Sequence, residues 1–168
     1  PADFNAADFV EKAVGWVRDL VKPGEKIALS ASGGVDSTVA AFLLDRIVGK
    51  DLYTFFIEDG CRRLIDDKPE GEVTRVIFSR LNFTVLDVKD EILPPLIGLS
   101  DGEKKRKTFI GNYRKVSDKY IRELGAAWIA DGTIAPDIAE TEGGFKSQHN
   151  VGWNYSVTKL EPLASLAK

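Results

Sequence analysis

The stretch LSASGGVDSTVA, residues 29–40, constrains the chain most: an apolar start, two adjacent glycines among hydroxyl side chains, one acid, and an apolar repeat that begins at once. The run KIALSA that leads into it is short and mostly apolar, as a buried strand is. After it, Val39, Ala40, Leu43, Leu44, Ile47 and Val48 recur at three and four residues, as the inward face of a helix does. Strand, glycine turn and helix in that order make the first half of a parallel α/β unit.

The alternation continues. A helical stripe of Phe9, Val10, Ala13, Val14, Val17, Leu20 and Val21 precedes the unit and ends at KPG. LYTFFIEDG reads as a second strand, Glu70 to Leu81 as a helix, FTVLDV as a third strand, and EILPPLIGLSDG as a short helix and turn broken by Pro94 and Pro95. From Glu103 a long helix carries Phe109, Tyr113, Val116, Tyr120 and Leu124 on one face and stops at Gly125; AAWIADGT is a fourth strand and VTKLEPL a candidate fifth. Right-handed crossovers then predict a doubly wound, mostly parallel five-stranded α/β sheet with helices on both faces, forming one domain over residues 1–168. Ligands of such sheets sit at the carboxyl ends of the strands, where the glycine turn, EDG, DGT and the long polar segment APDIAETEGGFKSQHNVGWN all fall.

Composition narrows the partners. With 168 residues, 43% of them hydrophobic, the chain can build one sizeable core. A net charge of -3 gives no general attraction to a nucleic-acid backbone, and no apolar run approaches the roughly 18 residues of a membrane span. The single cysteine, Cys61, excludes an internal disulfide and a cysteine-rich metal cluster, so a cytoplasmic protein that binds neither nucleic acid nor membrane is expected.

A turn that enters a helix presents backbone N–H groups and the positive end of the helix dipole, and glycines let that backbone approach a phosphate. Ser32, Gly33, Gly34, Ser37 and Thr38 fit such a cradle, yet the lysine of the common nucleotide loop is absent. Asp36 stands in the turn instead. A carboxylate beside a polyphosphate repels it unless a divalent cation lies between them, which points to Mg²⁺; the competing reading is an acid that only complements the helix dipole.

SGGVDS, residues 32–37, resembles the pyrophosphate loop of the ATP pyrophosphatases. KRKTFIGNYRKV, DGTIAPDIAETEGGFKSQHNVG and EPLASL are similar to the corresponding blocks of the ATP-pyrophosphatase domain of GMP synthetases, so that the likeness runs from about Phe9 to the end of the chain. The resemblance implies that ATP adenylates xanthosine monophosphate (XMP), and that ammonia then displaces AMP to give GMP. No glutaminase sequence accompanies the domain, which implies ammonia from a separate glutamine amidotransferase subunit. The family's C-terminal dimerisation region would follow EPLASLAK, and a homodimer is implied for the full-length protein.

The resemblance also assigns residues. It implies an ATP site made of Ser30, Ser32, Gly33, Gly34, Val35, Asp36, Ser37, Thr38, Gly132 and Thr133, with the adenine edge at the backbone around Ile57. Asp36 and Asp137 are the expected metal ligands, Lys146 the cation that stabilises the reacting α-phosphate, and Lys107, His149 and Asn150 the groups that position substrate or phosphate. DGCRRL departs from the family's hydrophobic-Met-Arg, which leaves Arg62 and Arg63 unassigned. An ammonia-dependent NAD synthetase, a tRNA-modifying enzyme or a nucleotide-binding module without turnover are the alternatives that the glycine loop alone leaves open.

Overall fold

The computed structural model describes residues 4–134 and 157–166. Helix α1 (Ala6–Leu20) leads into strand β1 (Ile27–Ser30), helix α2 (Val35–Val48) and strand β2 (Leu52–Glu58). A two-stranded hairpin, β3 (Leu64–Ile65) and β4 (Lys68–Pro69), precedes helix α3 (Glu70–Ile77) and strand β5 (Phe83–Asp87). The short helix α4 (Lys89–Ile92) and the long helix α5 (Gly102–Leu124) follow, then strands β6 (Trp128–Ala130) and β7 (Thr158–Leu160).

The main sheet has five strands in the order β5-β2-β1-β6-β7, and every pairing in it is parallel. VTKLEPL does supply the fifth strand, pairing Thr158–Leu160 with Trp128–Ala130. Two hydrophobic clusters cover its faces. Ala13 and Val17 of α1, Ala40, Leu43 and Leu44 of α2 and Phe78 pack on one side against Ile27, Leu29 and Leu52. On the other, Ile92 of α4 and Val116 and Ile121 of α5 pack against Ala28, Phe55, Ile57 and Ile129. α2 and α5 lie on opposite faces, β2 and β6 flank β1 from opposite sides, and the winding reverses at β1, the place where ligands of doubly wound sheets bind.

Among the described strands, the two of the hairpin are those that periodicity does not anticipate. Each of its strands is two residues long, too short for a pattern, and its turn residues Asp66 and Asp67 both adopt positive φ (49° and 61°), as a two-residue hairpin turn of this hand requires. Helix α3 also ends at Ile77, four residues before Leu81, with Phe78 as its C-cap. Phe78 is wholly buried beneath the helix end and meets the rings of Phe42 and Phe83. Its burial accounts for the apolar repeat that runs past the helix. Among the described residues, no helix is long and apolar enough to cross a membrane.

Candidate active site

The glycine turn lies at the carboxyl end of β1, between Ser30 at the strand end and Val35 at the first position of α2. Gly34 is the N-cap, and Gly33 takes φ +79°, a conformation that side chains with a Cβ rarely adopt. Ser37 is the hub of the turn. Its hydroxyl accepts the Ser32 N–H (3.2 Å), shares a hydrogen bond with the Ser32 hydroxyl (3.1 Å), and donates to the Gly34 carbonyl (3.0 Å). The Thr38 hydroxyl donates to the same carbonyl (2.8 Å). Both hydroxyl protons are thus spent inside the turn, and what the turn offers an anion is backbone N–H and the dipole of α2. Asp36 is half-buried in that first turn.

Gly132 comes up against the turn from β6. A Cβ built on it would fall 2.5 Å from the Ser37 nitrogen and 2.6 Å from the Asp36 carbonyl carbon, so only glycine lets the two backbones meet. The resemblance assigns Gly132 to the nucleotide, and its measurable role here is this close approach. Next to it stands an ionic network. The Asp131 carboxylate is buried and accepts both the N–H (3.0 Å) and the hydroxyl (2.6 Å) of Thr133 through one oxygen. Its other oxygen meets Lys159 Nζ at 3.0 Å, and Lys159 also donates to Glu161 (2.6 Å). Burial opposes the charge on Lys159, but the hydrogen bonds and charges of Glu161 and Asp131 outweigh it and hold the ammonium above the ordinary lysine value.

On the opposite flank, Glu70 opens α3 with its carboxylate buried against the turn: a Cβ on Gly33 would lie 3.0 Å from Glu70 Oε1. Arg63 Nε donates to that oxygen at 2.8 Å and keeps most of its side chain, 68%, exposed. Beyond this pair a cavity of about 420 Å³ opens at the ends of β2 and β5, lined by Glu58, Arg62, Arg63, Gly71, Asp87 and Lys89 among others. Glu58 Oε2 is buried there and receives no hydrogen bond from the described residues. Ile57 is in the core, and its carbonyl accepts Arg62 Nε (3.1 Å). Arg62 also pairs with Asp59 and lies over the Phe56 ring, so its position is fixed by the end of β2.

The structure therefore brings Ser30, Ser32, Gly33, Gly34, Val35, Asp36, Ser37, Thr38, Gly132 and Thr133 together at the neighbouring carboxyl ends of β1 and β6. Lys107 stands on α5, 73% exposed, 3.7 Å from Glu103. Asp137, Lys146, His149 and Asn150 lie outside the described residues. Among the described residues, no group of three or more His, Cys, Asp or Glu side chains is gathered as a metal site. Glu70, Asp131, Lys159 and Glu161 are not singled out by residue type. For Asp131 the signal is its place beside the glycine-threonine pair at a strand end; for Glu70, Lys159 and Glu161 the connection is tertiary.

No family model matches the chain. Among known proteins it is 40% identical over 167 residues to a subunit of the glutamine-hydrolyzing GMP synthase of Methanothermobacter thermautotrophicus, covering 98% of this chain and 53% of that one. The chain is a homologue of the GMP synthases. The corresponding GMP synthase chain of Methanosarcina barkeri is 39% identical over 164 residues, covering 95% of this chain and 52% of that one. The glutamine-hydrolyzing GMP synthase of Nitrosomonas eutropha is 36% identical over 180 residues, covering 99% of this chain and 34% of that one. This GMP synthase homologue thus spans about half the length of the curated relatives it matches. In fold it is similar to the NH3-dependent NAD synthetase of Campylobacter jejuni (TM-score 0.71, 14% identity, 99% of this chain and 70% of that one). It is likewise similar to the U34-tRNA thiolase NcsA of Methanococcus maripaludis (TM-score 0.68, 18% identity, 99% and 63%). At such identities these likenesses carry the fold alone.

Proposed function

We propose that the chain carries out the ATP-dependent step of GMP synthesis in the cytoplasm: the C2 oxygen of XMP attacks the α-phosphorus of ATP, pyrophosphate leaves, and ammonia then displaces AMP at C2 to give GMP. The observation that carries the reading is a phosphate turn with no lysine, built from N–H groups and a carboxylate, in a homologue of the GMP synthases. A turn of that kind suits holding pyrophosphate as it departs. The cavity at the ends of β2 and β5 adjoins the turn through Glu70 and Arg63, and its size suits adenosine.

The carboxylate at the start of a phosphate-binding helix fits a hard divalent cation, and Asp36 would hold Mg²⁺ together with phosphate oxygens, Asp137 being the second acid. Bound there, the ion supplies positive charge that offsets the triphosphate. The remaining work falls to side chains and backbone: α2 orients the leaving pyrophosphate, Gly132 holds β6 against it, and Lys146 stabilises charge at the α-phosphate. Ammonia comes from a separate glutamine amidotransferase subunit, a reading supported by relatives that are each one part of a glutamine-hydrolysing enzyme.

The products test it. With ATP, Mg²⁺, XMP and an ammonium salt the protein is expected to release pyrophosphate and AMP in equal amounts with GMP, as read by anion-exchange chromatography. ADP and orthophosphate as products, or pyrophosphate release that requires deamido-NAD in place of XMP, would contradict the proposal.

A further inference from the structure

Thr133 has two groups that can donate a hydrogen bond, its N–H and its hydroxyl, and both are directed at Asp131 Oδ1, at 3.0 and 2.6 Å. A carboxylate only accepts, so in the second contact the threonine is the donor. Asp131 is itself held by Lys159, which Glu161 braces from its other side. Rotating the Thr133 hydroxyl proton away would leave a buried carboxylate oxygen with one bond fewer, so a bond to phosphate would only exchange one charge-assisted contact for another and gain little. What remains on the Thr133 hydroxyl is a pair of lone-pair directions.

From this geometry we infer that Thr133 meets the nucleotide complex as a hydrogen-bond acceptor: it receives an O–H from the ligand and makes no donor contact to phosphate. The inference rests on the nucleotide reading above. Two sources carry such a donor, a water on the cation and a sugar hydroxyl of the nucleotide. The first is favoured by position, because Thr133 adjoins Gly132, whose backbone abuts the peptide between Asp36 and Ser37, the metal side of the turn. Asp131 acts through Thr133 and is a positioning residue. At Ser37 and Thr38 too the hydroxyl protons go to a protein oxygen, the Gly34 carbonyl, although that acceptor is neither charged nor fully buried.

Isothermal titration of the wild type, Thr133→Val and Thr133→Ser with ATP, 2′-deoxy-ATP and 3′-deoxy-ATP, each in Mg²⁺ and in EDTA, tests the assignment. A metal-bound water predicts that Thr133→Val weakens all three nucleotides about tenfold in Mg²⁺ and none in EDTA. A sugar hydroxyl predicts that the wild type prefers ATP to one deoxy nucleotide about tenfold and that Thr133→Val erases the preference in both media. Thr133→Ser keeps the wild-type pattern in either case, which separates the hydroxyl from the shape of the side chain. An equal loss for all three nucleotides that persists in EDTA, as a donor to phosphate would give, overturns the inference. So does no loss in any arm. A wild type that binds none of the three overturns the nucleotide reading itself.

Discussion

Gly132→Ala is expected to weaken nucleotide binding on the order of a hundredfold while leaving the sheet folded. The new methyl group would sit 2.5 Å from the Ser37 nitrogen and 2.6 Å from the Asp36 carbonyl carbon, both backbone atoms that cannot swing aside as a side-chain tip can. Either β6 retreats or the first turn of α2 does. Overpacking of this kind costs about 1–3 kcal/mol. The larger effect falls on function, because the displaced atoms include the N–H groups that would hold phosphate. A displacement of 1 Å at such a site can cost on the order of a hundredfold. Titration with Mg-ATP should show at least that loss, and thermal denaturation a modest drop in midpoint. Unchanged affinity would mean that the phosphate is bound elsewhere than at the start of α2.

The second large effect separates Asp36 from Lys146. Asp36→Asn keeps the shape of the turn and removes one negative charge. In Mg²⁺ it should weaken ATP at least tenfold, because the cation loses one of its two protein carboxylates. In EDTA it should leave ATP binding equal or tighter, because the carboxylate then only repels phosphate. An acid that merely complemented the helix dipole would act alike in both media, so the change of sign between them distinguishes the two readings. Lys146→Ala, by contrast, should leave Mg-ATP affinity within a few-fold and slow pyrophosphate release on the order of a hundredfold, as loss of one transition-state contact does. Full activity of Lys146→Ala would remove that residue from the chemistry.

Much of this fold is legible in the residues themselves. The parallel sheet follows from the alternation of short apolar runs with three-and-four repeats, and β1 and α2 are read directly from residues 27–48. The hairpin at Leu64–Pro69 is not, because two-residue strands carry no period and its turn uses aspartates where glycine or asparagine would have marked it. The site divides the same way. A glycine turn with an acid advertises phosphate through local sequence. The Asp131–Lys159–Glu161 network does not, since Asp131 and its lysine partner are joined only when β6 and β7 pair side by side. Glu70 is hidden for the same reason: it reads as an ordinary acid at a helix start, and only the packing of α3 presses it against Gly33.

Tracing the C2 oxygen of XMP tests the central claim most directly. If that oxygen attacks the α-phosphorus and ammonia then displaces AMP, XMP carrying ¹⁸O at C2 must deliver the label to the phosphoryl group of AMP, one atom for each GMP formed. Mass spectrometry of the products is expected to find it there. Label recovered in water or in pyrophosphate, with AMP unlabelled, would contradict the account.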